Sequence, residues 1–274
     1  MNKINKSMIN NLNAWYRKIL EAIFPLDWRV KFFRLLHGGN YPYIYTFSDL
    51  GGHLCSFEIS GPVEEFRVKK MGGEIDYTQK ILREIQSDDV FFDIGSCVGL
   101  ITIPALLIGA EVICFEPDPG IRKRLKRNLE LNNVLGEAKL VDWAVSNNEG
   151  IIDLYTEGIN GLSPSLVRTE KRNSIKVPSN TIDNAIKSGR FPNPSIIKMD
   201  IEGAEAMALK GMIHVLNANR KPKLLFIELH PENLRSLGSN VNECINLIES
   251  SGYQISYKVE RYQQIHTIFK KKPC

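Results

Sequence analysis

The five cysteines, Cys55, Cys97, Cys114, Cys244 and Cys274, form no CxxC pair and no His/Cys run at ligand spacing. That excludes a zinc ribbon and a disulfide framework and leaves reduced, mostly buried thiols. No apolar run reaches membrane-spanning length. Residues 1–13 are too polar for a secretory core, so the expectation is a cytoplasmic protein without stable membrane insertion. Charge of one sign is also scarce: 35 Lys and Arg against 31 Asp and Glu leave a net +4. The basic runs Arg122 to Arg127 and Lys270 to Lys272 carry no interleaved aromatics, so no nucleic-acid partner is expected. Internal repeats and low-complexity segments are absent. What remains is 274 residues, 43% hydrophobic and 24% charged, enough for a sizeable core and one α/β domain with an extension.

Leu12, Trp15, Ile19 and Ile23 share one helical face within residues 10–36, and Gly38, Gly39 and Asn40 end that segment. The face is expected to pack on the main domain, ahead of a membrane-surface role for the accompanying basic residues. Tyr41 to Phe47 and Leu54 to Ser60 read as a hairpin. From Ile75 the rhythm becomes strand and helix in alternation. Strands are expected at Val90–Ile94, Glu111–Phe115, Ala138–Val141, Ile196–Met199, Lys223–Leu229, Gln254–Lys258 and Gln264–Lys270. Helices are expected at Asp76–Ile85, Leu100–Ile108, Gly120–Leu131, Ile182–Lys187, Ala204–Leu216 and Val241–Ser250. Thr156 to Pro178 reads as one long loop, a candidate lid. The pattern predicts a doubly wound, Rossmann-like, mostly parallel seven-stranded sheet with one antiparallel C-terminal strand. Residues 1–74 form the expected helical and hairpin cap, and residues 75–274 the main domain.

The most informative run is Val90 to Gly99. An apolar strand ends on Asp93, turns through Gly95, Ser96 and Cys97, and opens a helix after Gly99, while a second strand ends on Glu116 and Pro117. Such a turn lets a ligand lie on bare backbone, and the neighbouring acid can accept from ribose hydroxyls. A P-loop is excluded because no GK[ST] follows. A dinucleotide turn would carry a third glycine, and Asp93 suits a cationic sulfonium with a free amine better than a pyrophosphate. The chemistry tilts to S-adenosylmethionine over NAD. Asp142, with Trp143 and Ala144 beside it, either meets adenine or serves as a turn residue.

Asp93-Ile-Gly-Ser-Cys-Val-Gly-Leu-Ile-Thr102 resembles the cofactor loop of the FkbM family of S-adenosylmethionine-dependent methyltransferases. Phe115-Glu116-Pro117, Thr181-Ile182-Asp183, Ile197 to Glu205 and Phe226 to His230 are similar to further elements of that family. Ser96 stands where the family usually has alanine. The resemblance spans roughly Gly72 to Tyr253. It implies a class I methyltransferase fold and O-methylation of a hydroxyl or carboxylate on a small molecule, sugar or natural-product peptide. It also implies donor contacts from Glu74, Asp93, Gly95, Ser96, Gly99, Thr102, Glu116, Pro117 and Asp200.

An alcohol acceptor needs a base and a carboxylate acceptor does not. Asp200, Glu228 and His230 fall at the carboxyl ends of strands and are the catalytic candidates, with His230 the expected base. Asp200, Glu202 and Glu205 also suit a helix N-terminus, where carboxylates cap free amides. Asn160, Ser163, Ser165 and Glu202 are candidate acceptor contacts, although a polar surface loop explains the first three equally well. No metal is expected: Mg²⁺ on Asp200, Glu228 and water is the lesser reading because no dedicated ligand cluster is visible. Two other functions compete, an NAD-dependent oxidoreductase and a non-catalytic nucleoside-binding module.

Overall fold

The computed structural model describes residues 41–49, 52–170 and 172–273. The helical face expected within residues 10–36 lies outside them. The first described element is the expected hairpin, β1 (Tyr43–Ser48) against β2 (Leu54–Ile59). A helix the sequence reading omitted follows it: α1 (Pro62–Lys70), with proline in its first turn, Glu64 and Glu65 at the N-terminal end and Arg67, Lys69 and Lys70 in the last turn. That charge order suits the helix dipole. Its weak apolar stripe is why periodicity missed it.

The main sheet has seven strands: β3 (Val90–Ile94), β4 (Glu111–Phe115), β5 (Lys139–Val141), β9 (Ile196–Met199), β10 (Leu224–Leu229), β11 (Tyr253–Arg261) and β12 (Gln264–Lys271). Their order is β11-β12-β10-β9-β3-β4-β5. β12 runs antiparallel to both neighbours and the other pairs are parallel, as expected for this Rossmann-like class. The central strands are apolar throughout because both faces are covered. Phe92, Ile94, Ile197 and Ile227 enter the core on one face, and Phe91, Val112, Ile196 and Phe226 the core on the other. Helices α2 (Ile75–Glu84), α3 (Thr102–Ile108), α4 (Pro119–Leu131), α5 (Ile182–Lys187) and α9 (Val241–Ser250) match their expected positions within a few residues. Phe226 is wholly buried and meets Tyr77 edge-on at 6.3 Å. Phe226→Ala is expected to cost about 3–5 kcal/mol, read as a lower urea midpoint at unchanged slope.

Two expectations need correction, and one short helix was not expected. Only the two ends of the supposed Thr156–Pro178 loop are sheet: β7 (Gly150–Thr156) pairs antiparallel with β8 (Asn173–Asn180), and β6 (Ala144–Val145) lies parallel to β8. Pro178 and the polar outward residues hid the alternation of Ile175, Val177 and Ser179. The Ala204–Leu216 helix is two pieces, α6 (Glu205–Lys210) and α7 (Ile213–Asn217). Asp183 causes the break: its carboxylate accepts from the amides of His214 and Val215, both at 3.0 Å, and so caps a new helix. A short helix, α8 (Pro231–Ser236), begins immediately after His230.

Candidate active site

The carboxyl ends of β3, β4, β9 and β10 form one rim, where ligands of open α/β sheets bind. Two open cavities lie there, of about 540 and 660 Å³ with their share of open solvent included. They share Arg67, Gly95, Cys97 and Asp200.

The larger cavity is lined by Phe115, Glu116, Pro117, Trp143, Ala144, Leu162, Ser163, Ser165 and Glu202, among others. Apolar walls beside one buried acid suit an adenosine: aromatic faces for a base and a carboxylate for ribose hydroxyls. Glu116 is 2% exposed. Its two oxygens accept from the amides of Cys97 and Asp118 at 3.1 and 3.0 Å, which fixes the carboxylate and leaves lone pairs over. Burial, opposed by those amides, pushes its pKa up to about 7. Asp142 is exposed and lines neither cavity; Asn160 also lies outside both.

The smaller cavity is lined by Glu74, Tyr77, Asp93, Ser96, Lys198 and Glu228, among others. Sequence reading set Asp93 against the cation of a bound donor, but the structure gives it a different partner. Asp93 accepts from the Thr102 hydroxyl at 2.6 Å and pairs with Lys198 at 3.2 Å. Lys198 also donates to the Gly95 carbonyl at 2.7 Å. Asp93, Thr102 and Lys198 thus brace the loop from beneath. The amides of Gly95 and Ser96 donate to the Phe115 carbonyl, Cys97 to Glu116 and Gly99 to the Ser96 carbonyl. No row of free amides is left for a pyrophosphate, which removes the main support for the dinucleotide alternative. Gly99, at φ +93, packs on Leu125 and Ile103 and lines neither cavity.

Between the cavities lies a group of acids around one imidazole. Nδ1 of His230 is 2.8 Å from Oε1 of Glu205. Its Nε2 lies 3.5 Å from Glu228, 3.6 Å from Glu202 and 3.9 Å from Asp200. Burial alone would lower the imidazole pKa, but hydrogen bonds to Glu205 and Glu228 and the charge of Glu202 hold it well above its usual value. A ring so surrounded is held toward its protonated form, which weighs against His230 as a base. Glu228 sits between two imidazoles, with His266 3.4 Å from its other oxygen. These bonds overcome burial and keep it ionised. Burial, then the charge of Glu228, push Asp200 up to about 7.

Three participants were missed by sequence reading. Arg67 enters both cavities from α1 and donates to Ser163 at 3.3 Å. Lys198 stood unremarked inside a recognised box. His266 arrives from the C-terminal hairpin, stacked on Tyr77 at 4.3 Å. The sequence signal for Lys198 was its placement two residues before Asp200 on a buried strand; for Arg67 there was none.

Fold and rim together define a Rossmann-like α/β protein with a cavity at its strand ends that opens onto an acidic centre. A methyltransferase FkbM domain matches residues 93–255, and the chain belongs to that family. Over 183 residues it is 30% identical to the hexuronic acid methyltransferase AglP of Haloferax volcanii, covering 67% of this chain and 73% of that protein. Over 164 residues it is 27% identical to the 2-O-methyltransferase NoeI of Sinorhizobium fredii, covering 52% of this chain and 66% of the relative. Among solved structures it is similar to methyltransferase FkbM from Methylobacillus flagellatus, at 19% identity and a TM-score of 0.49; the match covers 71% of this chain and 47% of that one. The protein is an enzyme, an O-methyltransferase, and S-adenosylmethionine is the general donor of such families. No helix among the described residues is long and apolar enough to cross a membrane.

Proposed function

We propose that this protein transfers the methyl group of S-adenosylmethionine to a hydroxyl of a sugar or sugar-containing natural product. The observation carrying this reading is that Asp200 lines both cavities, beside Glu228 and next to the space bounded by Glu116, Trp143 and Ala144. When bound, the donor supplies an electrophilic methyl on a positively charged sulfur. Glu116 and Pro117 hold the ribose edge, Trp143 and Ala144 cover the base, and the Gly95–Gly99 turn allows close backbone approach. Glu74 accepts from the donor amine. Arg67, Ser163, Ser165 and Glu202 hold the acceptor. Asp200 would take the proton of the acceptor hydroxyl, and the donor would supply the methyl carbon, the carbon–sulfur bonding pair remaining with sulfur. Glu228 and His230 fix Asp200 and keep the centre polar. Residues up to 74 act as the acceptor cap, supported by the reach of Arg67 from α1. The free thiols Cys55, Cys97, Cys114 and Cys244 support work in the cytoplasm.

A second reading is methylation of an acceptor carboxylate. It is favoured by Arg67, whose guanidinium has four further N–H groups beyond the one given to Ser163. That chemistry needs no base.

Titration calorimetry with S-adenosylhomocysteine tests the donor half. Ribose prefers the ionised form of Glu116, so affinity is expected to rise about tenfold between pH 6 and 8, through the Glu116 pKa of about 7. Glu116→Gln is expected to weaken binding by about 10–150-fold, corresponding to the 1.5–3 kcal/mol of a charged hydrogen bond, and to flatten that slope. Absence of binding by the unmodified protein refutes the reading.

A further inference from the structure

We propose that Asp200, Glu202 and His230 form a binding site for one divalent cation of the Mg²⁺ or Mn²⁺ class. One ligand atom from each lies within 4.8 Å of the others. Nε2 of His230 is 3.9 Å from Oδ1 of Asp200 and 3.6 Å from Oε2 of Glu202. Octahedral coordination at about 2.0–2.1 Å spaces neighbouring ligands by roughly 3 Å and opposite ones by roughly 4 Å. Small side-chain rotations therefore close the set.

An independent observation lies behind the ring. Histidines that ligate metals hand their second nitrogen to a carboxylate, which fixes the tautomer and the ring plane. Glu205 does this for His230, at 2.8 Å. Glu205 is 0% exposed and its Oε2 has no hydrogen-bond partner. A buried carboxylate left half satisfied is costly. A dication on the far side of the imidazole polarises the Nδ1–H bond toward Oε1 of Glu205 and so strengthens the one charged contact of that buried carboxylate. Without the cation, a proton on Nε2 serves the same acids.

Local charge points the same way. Lys198 is 3.9 Å from Asp200, but it already bonds Asp93 and the Gly95 carbonyl. The one ion-pair partner of Glu202 among the described residues is His230. Asp200 and Glu202 are 21% and 25% exposed and line the larger cavity, so an ion can enter and keep open positions. The neighbouring group of Glu74, Glu228 and His266 is less suitable. Gln264 already donates to Glu74 and lies 3.2 Å from His266 Nε2. Mixed imidazole and carboxylate ligation suits Mn²⁺, and Mg²⁺ where waters complete the shell.

Cation binding stands on these residues alone; a role in activating the acceptor oxygen rests on the reading above. The test is calorimetric and paramagnetic-resonance titration of the metal-stripped full chain with MnCl₂, no acceptor being present. One saturable site at micromolar Mn²⁺ is expected, displaced by excess Mg²⁺. Glu202→Gln is expected to weaken binding at least about tenfold, and Glu205→Gln by about 10–100-fold through the ring it holds. The proposal is overturned if the unmodified chain shows no saturable Mn²⁺ signal below millimolar, or if Glu202→Gln and His230→Gln bind it undiminished. A chain that binds Mn²⁺ but not S-adenosylhomocysteine keeps this site and loses the methyltransfer reading; the reverse loses this site alone.

Discussion

Asp200→Asn is expected to lower kcat by about 10²–10⁴-fold, the usual contribution of a positioned base, while S-adenosylhomocysteine binding changes by no more than several-fold. Asparagine keeps the size and the hydrogen-bonding oxygen but cannot take a proton. The side chain adjoins Lys198 at 3.9 Å and His230 at 3.9 Å, so the centre keeps its shape when one charge is removed. Single-turnover transfer of labelled methyl to a panel of sugars and uronic acids reads the effect. A rate within threefold of the unmodified enzyme would rule out the base and favour a carboxylate acceptor, which arrives already ionised.

Gly95→Ala should have the largest effect on donor binding. Gly95 sits at φ +82, and a Cβ placed there would lie 1.9 Å from the Asp200 carbonyl oxygen. Backbone of β3 and of the turn after β9 must part, and the Lys198 bond to Gly95 goes with them. Loss of S-adenosylhomocysteine binding beyond calorimetric detection is expected, with a lowered Tm. Gly211→Ala provides the comparison. It forces a similar 1.9 Å collision, with the Ser146 carbonyl, at a residue lining neither cavity. If both variants, checked as folded by circular dichroism, lose donor affinity equally, the loop has no special part in binding.

The order of the main sheet was legible because its strands are short, apolar runs punctuated by turns. The rim positions of Asp93, Glu116, Asp200 and Glu228 then followed, since strand ends fix them. Partners were harder to see. Asp93 reads as a ligand-facing acid until Lys198, 105 residues further on, is seen beneath it, and no spacing rule links the two. His230 reads as a base until four carboxylates gather on it, one from its own strand end and three from the turn after β9 and the first residue of α6. Arg67 lies on a helix with little amphipathic pattern, in a region without a motif. β7 and β8 were hidden for a simpler reason: half-exposed strands broken by Pro178 carry too little apolar alternation to stand apart from a loop.

β12 comes late in the chain yet lies between β10 and β11. The hydroxyl of Thr267 closes on the Ile227 carbonyl at 2.7 Å, and His266 reaches Glu228 only from this position. A nascent chain that has emerged as far as α8 therefore already owns Glu116, Trp143 and Asp200 but has an unfinished flank beside Glu228.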